Sequence, residues 1–241
     1  GMDKPIQIAV RVKLEGSRFE VDFTNTAPQS DGNANAPISV TKSAVYYVLR
    51  CLLPADIPPN HGCYETVSIL APQGSLVNPR PPAAVSSGNV ETSQRIVDVL
   101  LLALKDLLPD RIPAQGQGTM NNLAMGWEGK TYYETIAGGM GAGPHSDGAS
   151  AVQIHMTNTA NTPTEVLEGN YPVRILKTEL REGSGGKGLY AGGMGLTREV
   201  LLLEDTVVSI QSERRRFPPR GIFGGGDGDR GENLLRRIDG T

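Results

Sequence analysis

Glycine placement constrains this chain more than any other feature. Five glycines fall between Gly138 and Gly148, seven between Gly183 and Gly195, and six between Gly221 and Gly231. No collagen-like triplet period runs through the 30 glycines, so they mark turns, bends and close backbone approaches. The first run lies inside a stretch, Gln115 to Pro163, that also gathers two of the three histidines with Asn, Glu and Asp. Functional residues favour loops held on a rigid scaffold, so this is where chemistry is sought. The competing reading is that a glycine-rich β-protein simply bends tightly here. The tetrapeptide Gly-Gly-Met-Gly occurs at Gly138 and again at Gly192, and because the flanks do not match the echo reads as coincidence.

A chain of 241 residues can bury a sizeable core as one large domain or two small ones. With a net charge of −3 there is no electrostatic case for nucleic acid or an anionic membrane. Only 5% of the residues are aromatic, which leaves the core to Val, Leu, Ile and Ala. Two cysteines make neither a disulfide framework nor a metal knuckle. Cys51 lies in an apolar run and reads as a buried reduced thiol. Cys63, near His61, reads as part of a surface loop rather than a catalytic pair. The apolar run from Val97 to Leu108 is interrupted by charges and too short to span a bilayer. With no signal-peptide pattern at the start, a cytoplasmic location is expected. Gly1 before Met2 reads as a tag remnant.

Alternation places a hairpin over residues 5–24, turning at Glu15-Gly16-Ser17, with Phe19, Val21 and Phe23 on one face. A long polar loop, Thr24 to Pro37, has the length of a binding segment. A helix follows from about Ser39 to Leu53, stopped by Pro54. A second, with Ser87 or Asn89 as its cap, runs to Leu108 and is apolar on all sides near its end. Glu91 and Arg95, four apart, read as an ordinary surface pair. Strands are expected at Glu65–Leu70, Leu123–Trp127, Lys130–Ile136, Ala149–Thr157, Tyr171–Arg181, Leu189–Ala191, Leu196–Leu203 and Val207–Glu213. Arg214-Arg215-Arg216 reads as a solvated turn. The fold class that results is α+β: β-rich, with mixed or antiparallel sheets and two substantial helices at about 39–53 and 89–108. Residues 171–241 are a possible β-rich subdomain.

Common catalytic signatures are absent. There is no phosphate loop, no full dinucleotide fingerprint and no nucleophile elbow. His145, Asp147 and His155 are metal-ligand types, but their spacing matches no metal motif, so no metal is assigned.

Several segments taken together carry a resemblance. They include Asp22-Phe23-Thr24-Asn25-Thr26, Asn78-Pro79-Arg80-Pro81-Pro82, Gly88-Asn89-Val90-Glu91-Thr92-Ser93-Gln94-Arg95 and Gly116-Gln117-Gly118-Thr119-Met120-Asn121-Asn122. Further on come Tyr133-Glu134-Thr135-Ile136-Ala137-Gly138-Gly139-Met140-Gly141, Asp147-Gly148-Ala149-Ser150 and His155-Met156-Thr157-Asn158-Thr159. In this order they resemble the hydantoinase B / 5-oxoprolinase family, with Asn25 where the family usually has glycine. The resemblance covers only the C-terminal part of a B-type subunit. It implies an ATP-dependent hydrolase of cyclic amides, of 5-oxoproline or N-methylhydantoin type. ATP and Mg2+ would belong to an A-type partner subunit that phosphorylates the substrate, and the B-type part would handle the activated intermediate. The missing N-terminal part of the B-type subunit would be a second partner, and the chain alone would be inactive. On this reading His145, Glu134 and Asp147 are the catalytic candidates. Asn121, Asn122, His155, Asn158, Gly139 and Gly141 would bind substrate, with glycine-loop N–H groups holding developing charge. The alternatives are ATP-dependent ketone carboxylation, or a docking module in which the Gly138–Gly148 segment is packed shut with no adjoining pocket.

Overall fold

In the computed structural model of the chain, residues 4–237 are described. The first sheet has strand order β1-β2-β3. β1 (Arg11–Glu15) and β2 (Arg18–Asp22) form the expected hairpin, closed by Gly16 at φ 57°. β3 (Val67–Leu70) adds to β2 in parallel. Phe19, Val21 and Phe23 point to one side, as the period of two requires, and all three are buried. Residues 5–10 precede the strand rather than extending it.

Two helices pack on that face. α1 (Ile38–Leu52) buries Ala44, Val45 and Val48, one stripe at helical spacing. It starts directly after Pro37, whose fixed φ suits a helix entry, and no Ser39 cap is used. Thr41 lies in the same stripe and donates its hydroxyl to the Val77 carbonyl at 2.7 Å, which removes the penalty of burying it. α2 (Ser93–Leu104) supplies Ile96, Val97, Leu100 and Leu104 to the core. Each such side chain contributes roughly 1.5–3 kcal/mol by leaving water. α2 is shorter than the sequence suggests, because residues 105–108 form turns and residues 88–92 form one wide π turn.

The Thr24–Pro37 loop has a structural task. Asn35 is fully buried, and its amide donates to the carbonyls of Ser30, Gly32 and Ala84. The loop then grips the start of α2, with the Ser87 N–H bonded to Asn33 O and the Thr92 hydroxyl to Ala34 O. Gly88 is required at this contact, since a Cβ there would sit 2.0 Å from Asn35 O.

The second sheet has order β5-β4-β8 and is antiparallel. β4 (Asn122–Trp127) and β5 (Lys130–Thr135) turn at Gly129, and β8 (Val207–Gln211) joins the other edge of β4. The stretch from 171 onward is thereby tied to the earlier chain. β6 (Val173–Arg181) and β7 (Gly195–Leu202) make a separate two-stranded ribbon, bulged between Ile175 and Lys177. A third helix, α3 (Thr164–Asn170), which the sequence reading does not contain, plugs Leu167 against Met125, Tyr132 and Val173.

Two expected strands do not form. Across 149–157 there is only a single bridge, between Val152 and Gly138. Ala151 and His155 adopt φ of 51° and 54°, and left-handed residues cannot continue a pleat. Residues 189–191 are coil, with Leu189 almost wholly exposed.

The glycine-rich segments instead lie side by side, joined by backbone hydrogen bonds. Gly138 N–H bonds to Val152 O, Met140 N–H to Ala149 O, Gly148 N–H to Ala191 O and Gly193 N–H to Met140 O. The two Gly-Gly-Met-Gly tetrapeptides are therefore neighbours in space. Their glycines face carbonyls so closely that a Cβ on Gly139 would lie 2.0 Å from Gly193 O.

Candidate functional site

A cavity of about 970 Å³ opens between the Gly138–Pro144 segment, the β6–β7 ribbon and the segments around Arg214 and Arg220. Thr119 and Asn121 form part of its wall. Asn121 sits just before β4 at φ 50°, with its N–H bonded to the Thr119 hydroxyl and its amide oxygen accepting from Arg215 Nη2 at 2.9 Å. Other cations face the same space. Arg198 and Arg181 are engaged with carboxylates, whereas Arg215, Arg220 and Lys187 have none within ion-pair distance among the described residues.

The remaining nominated residues are scattered. Asn122 lies beneath the wall, 2% exposed, with neither amide atom hydrogen-bonded among the described residues. Glu134 points to the other face of the sheet. It is buried between the Thr162 N–H at 2.8 Å and Arg198 Nη1 at 3.1 Å. His145 is exposed at a turn, and Asp147 beside it ties that turn to the Ala191 N–H at 2.7 Å. Asn158 is exposed. Gly139 and Gly141 are packed closely against carbonyls, and the N–H groups of Gly138, Met140 and Gly143 are already given to backbone acceptors. The segment is thus a framework tied on both sides, and it also adjoins the cavity.

His155 belongs to a buried ion network whose partners are far apart in sequence. Asp98 of α2 is 2% exposed and pairs with Arg214 Nη2 at 2.9 Å and Arg95 Nη1 at 3.4 Å, with His155 Nε2 at 3.9 Å. Burial pulls the His155 imidazole below its usual range, against the opposing pull of Asp98. Arg214 is therefore a buried structural cation rather than part of a solvated turn, and it holds Gln115, Gln117 and Pro218 in place. Its neutraliser lies 116 residues away, so no local pattern announces it. Nor is Glu91 a surface partner of Arg95. Glu91 is 5% exposed, and Arg95 binds the Gly118 carbonyl instead, at 2.7 and 3.0 Å. Cys51, expected to be buried, is exposed. Among the described residues no group of three or more His, Cys, Asp or Glu side chains is gathered as a metal site, and no helix is long and apolar enough to cross a membrane.

Layered helices on a mixed sheet, with an arginine-lined cavity walled by glycine-rich segments, define an α+β module. The chain belongs to the hydantoinase B/oxoprolinase family, whose pattern it matches over residues 1–240. It is 49% identical over 236 residues to 5-oxoprolinase 1 of Arabidopsis thaliana, covering 97% of this chain and 18% of that protein. Among solved structures it resembles the ATP-dependent caprolactamase of Pseudomonas jessenii, with a TM-score of 0.77 at 25% identity over 95% of this chain and 45% of that one. An acetone carboxylase structure shares the fold, with a TM-score of 0.73 at 19% identity over 83% of this chain and 28% of that one. The chain thus spans less than a fifth of the plant relative and under half of the caprolactamase chain.

Proposed function

We propose that this chain is the C-terminal part of the B-type component of an ATP-dependent cyclic-amide hydrolase acting on 5-oxoproline or a related lactam. An amide is a poor electrophile, and phosphorylating its oxygen creates a leaving group. The reading assigns ATP, Mg2+ and that phosphorylation to an A-type partner, and water attack on the activated ring to a site shared with the N-terminal part of the B-type subunit. This chain contributes the wall that holds the anion. The observation carrying the reading is a set of cations, Arg215, Arg220 and Lys187, that have no carboxylate within ion-pair distance among the described residues and surround a cavity in which Asn121 is already oriented by Arg215. Guanidinium donors suit phosphate and carboxylate oxygens, and donors fixed in advance stabilise developing negative charge.

The test is ATP-dependent 5-oxoproline hydrolysis by this chain, alone and mixed with a cognate A-type subunit and the N-terminal part. Arg215→Gln is expected to lower kcat/KM in the full mixture by about 10- to 100-fold. Unchanged turnover would remove the cavity from the mechanism. Turnover of a ketone with bicarbonate, and none of lactams, would move the protein to the carboxylation branch.

Asn122→Ala separates catalysis from stability. Because no hydrogen bond of its side chain is lost among the described residues, unfolding free energy should change by less than about 1 kcal/mol. Turnover in the assembled enzyme should nevertheless fall at least about ten-fold if the amide meets substrate in the transition state. Denaturant titration and assay of one preparation check both halves, and normal turnover would take Asn122 off the site.

A further inference from the structure

Residues 229–236 run along the cavity, where Glu232, Leu234, Leu235 and Arg236 line it. The first part of this segment is tied to the backbone. Asp229 N–H bonds to Ser184 O at 2.9 Å, Gly231 N–H to Arg214 O at 3.0 Å, and Arg181 Nη1 donates to Arg230 O at 2.6 Å. Gly231 passes directly against the Arg215 guanidinium, since a Cβ there would lie 2.6 Å from Nη1 and 2.9 Å from Cζ. Past Gly231 the hold weakens. Glu232 meets Arg181 at 3.3 Å and Arg236 meets Glu199 at 3.5 Å, ion pairs open to solvent that contribute little. Leu234 and Leu235 are 80% and 74% exposed, so they bury almost nothing.

Asn233 sits in this lightly held part and reaches Arg215. Its Oδ1 accepts from Arg215 Nη2 at 2.6 Å, and Asn121 Oδ1 accepts from the same nitrogen at 2.9 Å. Nη2 carries two protons, so both are spent. A guanidinium grips a carboxylate through one of two forks, Nε with Nη2 or Nη1 with Nη2, and each fork needs an Nη2 proton. Arg215 has no carboxylate within ion-pair distance among the described residues, yet neither of its forks is open. Its Nε is buried and has no acceptor among the described residues. A carboxamide cannot serve both atoms of a fork, because its second polar atom is itself a donor. A carboxylate has the same planar shape, and it brings a second acceptor and a negative charge.

We propose that Arg215 is the centre of a carboxylate subsite, filled in the free chain by the side chain of Asn233, which the ligand displaces. Asn121 stays on Nη2 and keeps the guanidinium in place, while withdrawal of Asn233 frees the proton that completes a fork. The backbone bond of Gly231 marks where the lifting part begins. Asn233 competes as a tethered ligand, so the apparent affinity for a carboxylate is reduced by the fraction of chains in which the contact is closed. A role for the subsite in turnover rests on the anion-holding wall proposed above. The competition between Asn233 and a carboxylate does not.

Acetate is the probe, titrated into the full chain at neutral pH and constant ionic strength while side-chain NMR signals are followed. In the wild type the Arg215 Nε–H signal and the Asn233 amide signals should move together, with one apparent Kd. Asn233→Ala removes the competitor from an exposed position and should tighten acetate binding at Arg215 about 3- to 10-fold. Asn233→Asp supplies a tethered carboxylate and should weaken it by at least as much. Arg215→Gln should leave the Asn233 amide indifferent to acetate. Equal or weaker acetate binding in Asn233→Ala overturns the proposal, as does an Arg215 signal that ignores acetate in both proteins. Displacement of Asn233 by phosphate but not by acetate overturns the carboxylate assignment. If acetate displaces Asn233 as expected while Arg215→Gln leaves turnover of the assembled enzyme unchanged, the subsite stands and the anion-holding wall falls.

Discussion

Asp98→Ala is expected to lower the unfolding free energy by about 3–5 kcal/mol, because it strands buried cations rather than deleting a surface contact. Asp98 is 2% exposed and stands between Arg214 and Arg95, with His155 on its other oxygen. Arg214 is 5% exposed, and burial already pushes it down to about 10 against the pull of Asp98. Removing the carboxylate leaves two guanidiniums facing each other around Gly118, with no other carboxylate in ion-pair distance of either among the described residues. Asp98→Asn keeps the shape and an acceptor and should cost about half as much. The loss should reach the cavity too, because Arg214 also binds Gln115 and the Pro218 carbonyl, in segments that meet its wall. Urea unfolding at neutral pH measures the effect. A midpoint within error of wild type would mean that water, not Asp98, compensates Arg214.

Local signals made the frame legible and long-range ones hid the site. The β1–β2 hairpin, α1 and the β4–β5 hairpin follow from periodicity and turn residues, since each is decided by neighbours within a few positions. The shortened α2 and the absent strand over 149–157 depend on distant partners. The π turn is clasped by Asn33 and Ala34, and the left-handed Ala151 and His155 sit in a segment bound to Gly138 and Met194. Glycine density announced close backbone approach, but not which strands approach. The repeated Gly-Gly-Met-Gly, which looked incidental, marks two segments in contact. Asn121 was legible as a polar residue in a glycine-rich stretch. Its partner Arg215, 94 residues away, was read as solvated because its neighbours in sequence are charged. Glu91 had the same fate: helix spacing offered Arg95 as a partner, whereas the π turn and the Gly118 carbonyl gave Arg95 another bond.

Gly141→Ala should destabilise the chain by about 3 kcal/mol or more, whereas Gly169→Ala should be neutral or stabilise by up to about 1 kcal/mol. The chemistry of the two substitutions is the same, and only the surroundings differ. A Cβ on Gly141 would lie 1.8 Å from the Ala114 carbonyl oxygen, 2.4 Å from its carbon and 2.9 Å from Gln115 O. All three atoms are backbone, so no rotamer change relieves the overlap, and the segments must separate. That separation threatens the Ala114 N–H to Ala142 O bond at 2.9 Å and the Gln117 N–H to Gly139 O bond at 2.8 Å. Gly169 lies in α3 with nothing within 4 Å of its Cβ position, so alanine there only restricts the unfolded chain and favours helix. Comparing thermal unfolding of the two variants isolates close approach from conformational freedom. If Gly141→Ala behaves like Gly169→Ala, the glycine segments are not packed backbone to backbone, and the cavity wall they form must yield to ligand. If it unfolds early while Gly169→Ala does not, the wall is rigid, and ligand selectivity lies in the side chains that project from it, Asn121 and Arg215.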